Sequence, residues 1–273
     1  MVSLIMNSIS HAYNASESTG ITGKCPQVSV QAGEGKRVEA ALVAARYNLP
    51  LISEDDRAAT RFVLVFASDR LVLTDQDNPK CRPILVPDLK MPRLSRKQLP
   101  GKAIGRQSKT VVDATAGWGS DAFLLAAMGF EVVAVERCAA VCALLEDGIE
   151  RNLKINDFLH ISHRYADAVS YLGMLEEKPD AVYLDPMYPQ GRKKSVKVAR
   201  KMSVLRTVAG EDSDFLALFG QAVRCAAKKV VLKRPKYAAV LFPQSVAMSM
   251  NGKMARYDIY HPQQFNPDEF PPP

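Results

Sequence analysis

The chain lacks long apolar runs and has few residues of the kinds that mark membrane or secreted proteins. Of its 273 residues 47% are hydrophobic and 24% are charged. Its longest apolar runs fall well short of the roughly 20 residues that a membrane span needs. The first residues have neither the basic segment nor the apolar segment of a secretory signal. We therefore expect an ordinary globular protein with a cytoplasmic location and no membrane partner.

The chain is also poor in residues that bind metals or form disulfides. Its five cysteines are scattered and form no CxxC pair, which is typical of reduced thiols in a reducing compartment. His160 and His163 have no cluster of acids or cysteines at the spacing that a metal site requires. We predict that the protein binds no metal.

Positive charge is concentrated in runs that contain no acid. The formal net charge is +7. Acid-free basic runs extend from Lys90 to Lys109 and from Arg192 to Arg206, and a third basic cluster lies between Lys228 and Lys236. One such run would most often be a solvated surface, but three favour contact with phosphates. The predicted phosphate contacts are Arg192, Lys193, Lys194, Lys197, Lys233 and Arg234.

The first hundred residues have a mixed pattern. Residues 36–47 have helical periodicity, and residues 61–66 and 71–74 flank a short polar turn, which predicts a hairpin. Four prolines then interrupt a basic segment, which we interpret as a linker or a binding arm. Residues 1–98 are predicted to form a small α+β domain followed by a basic linker.

Strands and helices alternate from about residue 108, which predicts a mostly parallel, doubly wound α/β sheet in a domain over residues 99–273. The predicted strands are 110–113, 131–135, 160–162, 181–184, 230–233 and 256–260, and the predicted helices are 120–128, 139–152 and 214–227. Ligands of such sheets bind beyond the carboxyl ends of the strands. Asp113, Glu136, Asp167 and Asp185 all fall there.

A glycine turn follows the first of these strands. The run from Gly117 through Gly119 and Ser120 to Ala122 fits G-x-G-x-x-[GA], so a dinucleotide site is one alternative. Asp113 and Asp121 flank this turn, and their carboxylates would repel a pyrophosphate but suit the ammonium group of a methionine moiety. The acids therefore favour S-adenosylmethionine, which leaves S-adenosylhomocysteine as its product.

Two further acids lie at the ends of the next predicted strands. Glu136 can accept hydrogen bonds from both hydroxyls of a ribose, which would serve either cofactor. Asp167 is interpreted either as an acceptor for the adenine amine or as an ordinary helix cap. Trp118, in the glycine turn, packs either over the cofactor or into the protein.

The second motif is the run Asp185-Pro186-Met187-Tyr188, which resembles the [DNS]-P-P-[YFW] signature of amino-methyltransferases with Met in place of the second Pro. Pro186 fixes φ and makes a stiff turn. Asp185 would accept N–H hydrogen bonds from an exocyclic amine and so align its nitrogen with the transferred methyl group. Tyr188 would stack on an extruded base. An ordinary strand-ending Asp-Pro turn is the alternative.

The catalytic region resembles the bacterial ribosomal RNA small subunit methyltransferase J family. The matching runs are V-V-D-A-T-A-G-x-G-x-D-A-F from Val111, V-E-R from Val135, Y-L-D-P-M-Y-P from Tyr183, K-R-P-x-Y from Lys233 and R-Y-D-I-Y from Arg256. The resemblance implies a class I, Rossmann-like methyltransferase fold with a seven-stranded sheet. It also implies methyl transfer to N2 of a guanosine, position 1516, in 16S rRNA or the small ribosomal subunit.

The resemblance further implies where the cofactor is bound. The implied cofactor contacts are Ser120, Asp121, Glu136, Arg137, Ala166, Asp167 and Asp185. Three other functions stay open on the residues alone. They are an amino-methyltransferase acting on DNA or protein, a non-catalytic RNA-binding or ribosome-assembly protein that retains the fold, and a nicotinamide oxidoreductase.

Overall fold

Two β-sheets organise the residues that the computed structural model describes, which are 27–53, 60–187, 196–209, 214–265 and 270. The strands are β1 (Val28–Gln31), β2 (Leu51–Ile52), β3 (Phe62–Ala67), β4 (Arg70–Asp75), β5 (Thr110–Asp113), β6 (Glu131–Glu136), β7 (His160–Tyr165), β8 (Ala181–Leu184), β9 (Lys229–Pro235), β10 (Val246–Asn251) and β11 (Ala255–Tyr260). The helices are α1 (Arg37–Arg46), α2 (Leu99–Ile104), α3 (Ser120–Ala127), α4 (Ala139–Ile155), α5 (Ala168–Gly173), α6 (Val196–Ala209) and α7 (Phe215–Cys225). Among these described helices, none is both long and apolar enough to cross a membrane.

The smaller sheet has the order β2-β1-β3-β4. β3 and β4 form the predicted antiparallel hairpin, and α1 is the predicted helix, so both predictions are confirmed. β1 pairs in parallel with β2 and β3. These two strands were not predicted, because β2 has only two residues and β1 is buried throughout, so neither shows the alternation of a half-buried strand.

The larger sheet has the order β10-β11-β9-β8-β5-β6-β7. Strands β5 to β9 are parallel, and β10 and β11 complete the sheet in antiparallel orientation. The predicted α/β sheet is confirmed, including its seven strands. The edge strand β10 was not predicted, because most of its side chains are partly or fully exposed and need not be apolar.

The chain order reverses between β5 and β8, which are neighbours in the sheet. The end of β5 carries Asp113, and the end of β8 leads into Asp185. A reversal of this kind opens a crevice beyond the carboxyl ends of the two strands, where doubly wound folds bind their ligands. The fold therefore brings the two predicted acids to one ligand-binding edge.

The proline-containing segment after β4 is docked along α4 and is not a free arm. The Asn152 side chain accepts a hydrogen bond from the Leu89 N–H (2.6 Å) and donates to the Pro87 carbonyl (3.0 Å). One helical turn later, the Asn156 side chain accepts from the Met91 N–H (3.2 Å) and donates to the Leu89 carbonyl (2.7 Å). The two amides thus satisfy backbone groups of a segment that belongs to neither sheet.

A single hydrophobic cluster extends from the smaller sheet to α3, α4 and the larger sheet. Polar contacts join the same parts, since Glu146 on α4 pairs with Arg46 and accepts a hydrogen bond from the Tyr47 hydroxyl (2.9 Å). The pattern change near residue 98 therefore marks a boundary between sheets that share a core. The division into two domains stays a prediction.

Candidate cofactor and catalytic site

Three acids and one lysine converge at the carboxyl edge of the larger sheet. Asp113 ends β5, Asp121 lies in the first turn of α3, and Asp185 follows β8. The Lys233 ammonium, on β9, is 2.5 Å from Asp121 Oδ2 and 2.9 Å from Asp185 Oδ2. Lys233 therefore bridges the acid of the glycine turn and the acid of the Asp-Pro turn.

The predicted phosphate contacts of Lys233 and Arg234 stay predictions. Successive residues of a strand point to opposite faces of a sheet, so the two side chains lie on different faces. The Lys233 ammonium pairs with two carboxylates, and the Arg234 side chain is only 8% exposed. The basic cluster looks uniform in the sequence, but in the structure Lys233 is partly buried and Arg234 is buried.

Lys233 keeps its proton at neutral pH. Burial acts to lower the pKa of the ammonium group, but the charges of Asp185 and Asp121 outweigh it and raise that pKa above its ordinary value. The lysine is therefore a fixed positive charge in the site and not a proton acceptor.

Asp113 behaves differently from the other two acids. It is only 2% exposed, and its Oδ1 accepts a hydrogen bond from the Thr115 N–H at 3.1 Å. Burial, reinforced by the negative charge of Asp121, raises its pKa to about 8. Asp113 is therefore mostly protonated at neutral pH. The sequence pattern alone had counted Asp113 as a charged partner for an ammonium group.

Two hydroxyl groups contact the acids, one at a carboxylate and one at a backbone N–H. The Tyr183 hydroxyl donates to Asp121 Oδ2 at 2.9 Å from inside the buried strand β8. Thr115 Oγ1 accepts the Asp185 N–H at 2.6 Å. Neither hydroxyl was predicted as part of the site. The signal was present in the sequence, because a tyrosine in a buried strand needs a hydrogen-bond partner.

The glycine turn is shaped so that other residues would not fit. Gly117 and Gly119 have φ values of +51° and +77°, which L side chains rarely adopt. A Cβ atom on Gly119 would lie 2.5 Å from Leu145 Cδ1. The Glu136 carboxylate stabilises the turn. Its Oε2 accepts the Gly117 N–H at 2.9 Å, and its Oε1 accepts the Cys138 N–H at 2.7 Å.

Glu136 is also the predicted acceptor for the ribose hydroxyls. A carboxylate has about four lone-pair sites, so the predicted contact with ribose hydroxyls is compatible with its role in holding the turn. Ser120, the first residue of α3, is exposed beside the turn. Their contacts with the cofactor stay predictions.

The turn also contains a buried donor without a partner. Trp118 Nε1 is inaccessible to solvent and has no hydrogen-bond partner within the described part of the chain. A buried N–H group that stays unpaired costs free energy, and a ligand bound at the turn could supply the acceptor. The residues at this edge therefore fit S-adenosylmethionine, because they include the Asp121 and Asp185 carboxylates, a glycine turn at the start of a helix, and a buried donor without a partner among the described residues.

The remaining predicted cofactor residues have protein partners of their own. Asp167 caps α5 by accepting the Ser170 N–H at 2.9 Å, which is the helix-cap alternative. Arg137 Nη1 donates to both carboxylate oxygens of Asp214, at 3.0 Å and 2.9 Å. The Ala166 N–H donates to the Glu136 carbonyl at 3.2 Å, which places the turn after β7 beside the tip of β6. Their contacts with the cofactor stay predictions.

Several predicted residues are not part of the described structure. Tyr188, Arg192, Lys193 and Lys194 lie outside the described residues, and Lys197 lies in α6, where the structure describes no side chain at that position. Pro186 is described and buried. Within the described ranges, no three His, Cys, Asp or Glu side chains are grouped so that they could hold a metal ion.

Comparison with known proteins identifies the family. The family described as "Putative SAM-dependent methyltransferase" matches residues 43–262. The ribosomal RNA small subunit methyltransferase J of Tolumonas auensis is 38% identical over 222 residues, which cover 76% of this chain and 89% of that protein. The methyltransferase J of Shewanella amazonensis is 37% identical over 233 residues, with 80% and 92% coverage.

The fold has a match among solved structures. A crystal structure of a SAM-dependent methyltransferase from Neisseria gonorrhoeae superposes with a TM-score of 0.67, at 28% identity, and covers 87% of this chain and 98% of that one. The class I fold, the methyltransferase activity and the cofactor that the sequence predicted are thereby confirmed. The chain belongs to the ribosomal RNA small subunit methyltransferase J family of S-adenosylmethionine-dependent methyltransferases.

Proposed function

We propose that the protein transfers a methyl group from S-adenosylmethionine to the exocyclic N2 of a guanosine in 16S rRNA, at position 1516. The names of its relatives support small-subunit rRNA as the acceptor. The single observation that carries the chemistry is the placement of Asp185. Its backbone N–H is held by the Thr115 hydroxyl, and its carboxylate, at the switch point, pairs with Lys233.

Asp185 has the properties that an amine acceptor needs. The lone pair of a guanine N2 is delocalised into the ring, so the amine is a poor nucleophile. A carboxylate that accepts its N–H hydrogen bonds draws the nitrogen toward sp³ geometry and fixes its direction of approach. Such positioning can account for several of the roughly 7–11 kcal/mol that orientation contributes to enzymatic barriers. We predict that Tyr188, three residues later, stacks on the extruded base.

The bound cofactor supplies an electrophilic methyl group on a sulfonium, and the chain's own residues do the rest. The nitrogen forms its bond to carbon as the carbon–sulfur bond breaks, and the amine then loses a proton. Lys233 is excluded as the acceptor because it is already charged. Asp185 and water are the remaining acceptors, and the negative charge of Asp185 favours proton loss in either case.

Lys233 has a positioning role in this proposal. Its contact with Asp185 Oδ2 holds one carboxylate oxygen, and its positive charge lies between the carboxylates of Asp185 and Asp121. These carboxylates suit the net positive charge of S-adenosylmethionine. The product S-adenosylhomocysteine is neutral, so this electrostatic attraction is lost after transfer.

Transfer of labelled methyl groups to three classes of acceptor tests the proposal. Small-subunit rRNA, stripped DNA and a release-factor-like protein are offered to the wild type, to Asp185→Ala and to the exposed-acid control Glu177→Ala, and the modified nucleoside is mapped. We expect N2-methylguanosine in rRNA from the wild type and the control, and none from Asp185→Ala. Transfer to DNA or protein alone would assign another acceptor, and rRNA modification that persists in Asp185→Ala would assign a non-catalytic role to this residue.

A further inference from the structure

The loop that follows β9 presents an aromatic ring to solvent. Tyr237 is 91% exposed and comes four residues after Lys233, in the K-R-P-x-Y run whose last residue has no role in the cofactor site. A single exposed apolar group is normal on a protein surface. The Tyr237 ring differs from such a group because it lies at the same sheet edge as Asp185, on a loop with a fixed backbone and a lysine beside it.

The loop is held in place by a buried ion pair. Arg256 donates from Nε and Nη2 to the two carboxylate oxygens of Asp258, both at 2.8 Å, and both side chains are buried. The other guanidinium contacts go to the loop backbone, with Nη1 donating to the Lys236 carbonyl at 3.3 Å and to the Ala238 carbonyl at 2.7 Å. A buried ion pair is costly to desolvate, and here its spare donors fix the backbone on both sides of Tyr237.

The loop lies at the same sheet edge as the catalytic acid. β9 is parallel to β8, so its end at Pro235 is at the edge where β8 leads into Asp185. Pro235 pairs with Ala255, which brings the turn between β10 and β11 alongside the loop. We define the β9 platform as the residues Lys236, Tyr237, Lys253 and Met254, all of them partly or fully exposed.

The chemistry of the β9 platform fits an unpaired nucleic acid strand. Lys236 Nζ lies 5.5 Å from the centre of the Tyr237 ring, and Lys253 is exposed in the neighbouring turn. The sequence from Lys228 to Tyr257 contains no Asp or Glu. Exposed aromatic rings with nearby amines and no acids are how proteins hold single strands, because bases stack on the rings and the amines contact phosphates.

We propose that the β9 platform binds an unpaired stretch of rRNA that flanks the target guanosine, with a base stacked on Tyr237 and phosphates on Lys236 and Lys253. This inference rests on the proposed function, because it assumes that rRNA is the acceptor at the adjoining site. It assigns RNA contact to residues other than the basic run from Arg192 to Arg206.

Substitution of the ring tests the stacking contact. The dissociation constant is measured for a small-subunit rRNA fragment that carries the target, using full-length wild type, Tyr237→Ala and Tyr237→Phe. We expect Tyr237→Ala to bind roughly tenfold or more weakly, the loss that removal of one stacking aromatic produces, and Tyr237→Phe to bind like the wild type. The KM for RNA should rise in Tyr237→Ala, while kcat at saturating RNA and cofactor affinity stay unchanged.

Met174→Ala is the matched control, because Met174 is exposed where α5 ends, away from the carboxyl edge. The lysines are tested through the salt dependence of the same binding constant. Lys236→Ala and Lys253→Ala should each reduce the slope of log K against log salt concentration by roughly 0.7, the value for one lost phosphate contact with a single strand. Lys80→Ala, an exposed lysine that follows β4, should leave the slope unchanged.

Three results would overturn the proposal. They are an unchanged RNA affinity in Tyr237→Ala, a loss in Tyr237→Phe as large as in Tyr237→Ala, and a loss seen only with assembled small subunits, which would assign the platform to a ribosomal protein. Failure of the proposed function is distinguishable. In that case the wild type transfers no methyl group to rRNA, whereas binding of the RNA fragment still reports on Tyr237.

Discussion

Two parts of the molecule bury polar side chains in opposite ways. Where the N-terminal residues meet α4, buried groups have complementary partners, as shown by the amides of Asn152 and Asn156 and by the pairing of Glu146 with Arg46. At the carboxyl edge of the larger sheet, three acids share a single lysine. The first arrangement stabilises the fold. The second leaves more acids than cations, and a positively charged ligand can supply the missing positive charge.

The two regions differ in the partners of their buried acids, and burial alone does not explain the difference. Burial also raises the pKa of Asp147 on α4, to about 6, but Arg151 pairs with that carboxylate at 2.9 Å. Asp113 at the catalytic edge has no cation of its own, and the neighbouring charge of Asp121 adds to the effect of burial. Acids that lack a cation of their own therefore lie at the candidate cofactor site, and four substitutions test this difference between the two regions.

The largest effect is expected at Asp185. Asp185→Ala removes the group that orients the amine, and we expect kcat for rRNA methylation to fall by roughly 10²- to 10⁴-fold, the range for a positioned acid or base. The midpoint of unfolding should not fall, because Lys233 keeps its contact with Asp121. Steady-state kinetics and thermal unfolding of the same preparations give both values. A loss of unfolding free energy as large as the free-energy equivalent of the lost kcat would show that Asp185 is a structural group. That result would contradict the difference between the two regions.

Lys233 comes next, because it acts through Asp185. Lys233→Met leaves the Asp185 carboxylate beside Asp121 and Asp113 without its cation, so the carboxylate takes up a proton at a higher pH than in the wild type. We expect a kcat at pH 7 that is lower by roughly tenfold or more, with partial recovery as the pH rises. Lys233→Arg keeps the charge and should restore the wild-type profile. An unshifted acidic limb of the pH profile in Lys233→Met would contradict this role.

Asn152 tests the other side of the comparison. Asn152→Ala leaves the Leu89 N–H and the Pro87 carbonyl without their partner, so the free energy of unfolding should fall by about 2–3 kcal/mol. Cofactor affinity and kcat should not change. Lys154→Ala, on an exposed position of the same helix, should change the free energy of unfolding by less than about 0.5 kcal/mol. Denaturant titration measures both variants, and a drop in kcat for Asn152→Ala would show that the two regions are coupled.

The last prediction concerns Asp113 and depends on pH. Its pKa is about 8 in the folded chain against an ordinary value of 3.8, so between these values the folded state holds a proton that the unfolded state releases. The stability of the wild type should therefore fall as the pH rises from 4 to 8, by at most roughly 1.4 kcal/mol per pH unit from this group. Asp113→Asn should lack this contribution. Denaturant midpoints at pH 5 and pH 7.5 measure it, and equal pH slopes in both proteins would contradict the assignment.

The sequence predicted the strand ends and the cofactor class because these follow from local patterns. A buried strand that ends in an acid before a glycine or proline turn is recognisable in the chain itself, as at Asp113 and Asp185. The orientation of Lys233 could not be predicted, because neighbouring residues of a strand face opposite ways and the sequence does not say which of Lys233 and Arg234 faces the site. The protonation of Asp113 depends on burial that only the folded chain shows.

The docking of the proline-containing segment could have been found in part. Asn152 and Asn156 are spaced so that both lie on one face of a helix, and two amides on a mostly apolar face indicate that a backbone segment lies over them. What could not be predicted is which segment, because the partner backbone at residues 87–91 lies more than 60 residues earlier in the chain.

A double-mutant cycle on methyl transfer to small-subunit rRNA tests most directly whether the charged edge works as one unit. The kcat values of wild type, Asp185→Asn, Lys233→Met and the double variant are compared. Asp185→Asn keeps a hydrogen-bond acceptor but has no negative charge that could pair with Lys233. We expect the double variant to be no slower than Asp185→Asn alone. Two losses that multiply would show that Lys233 acts independently of Asp185 and would contradict the proposed role of the ion pair.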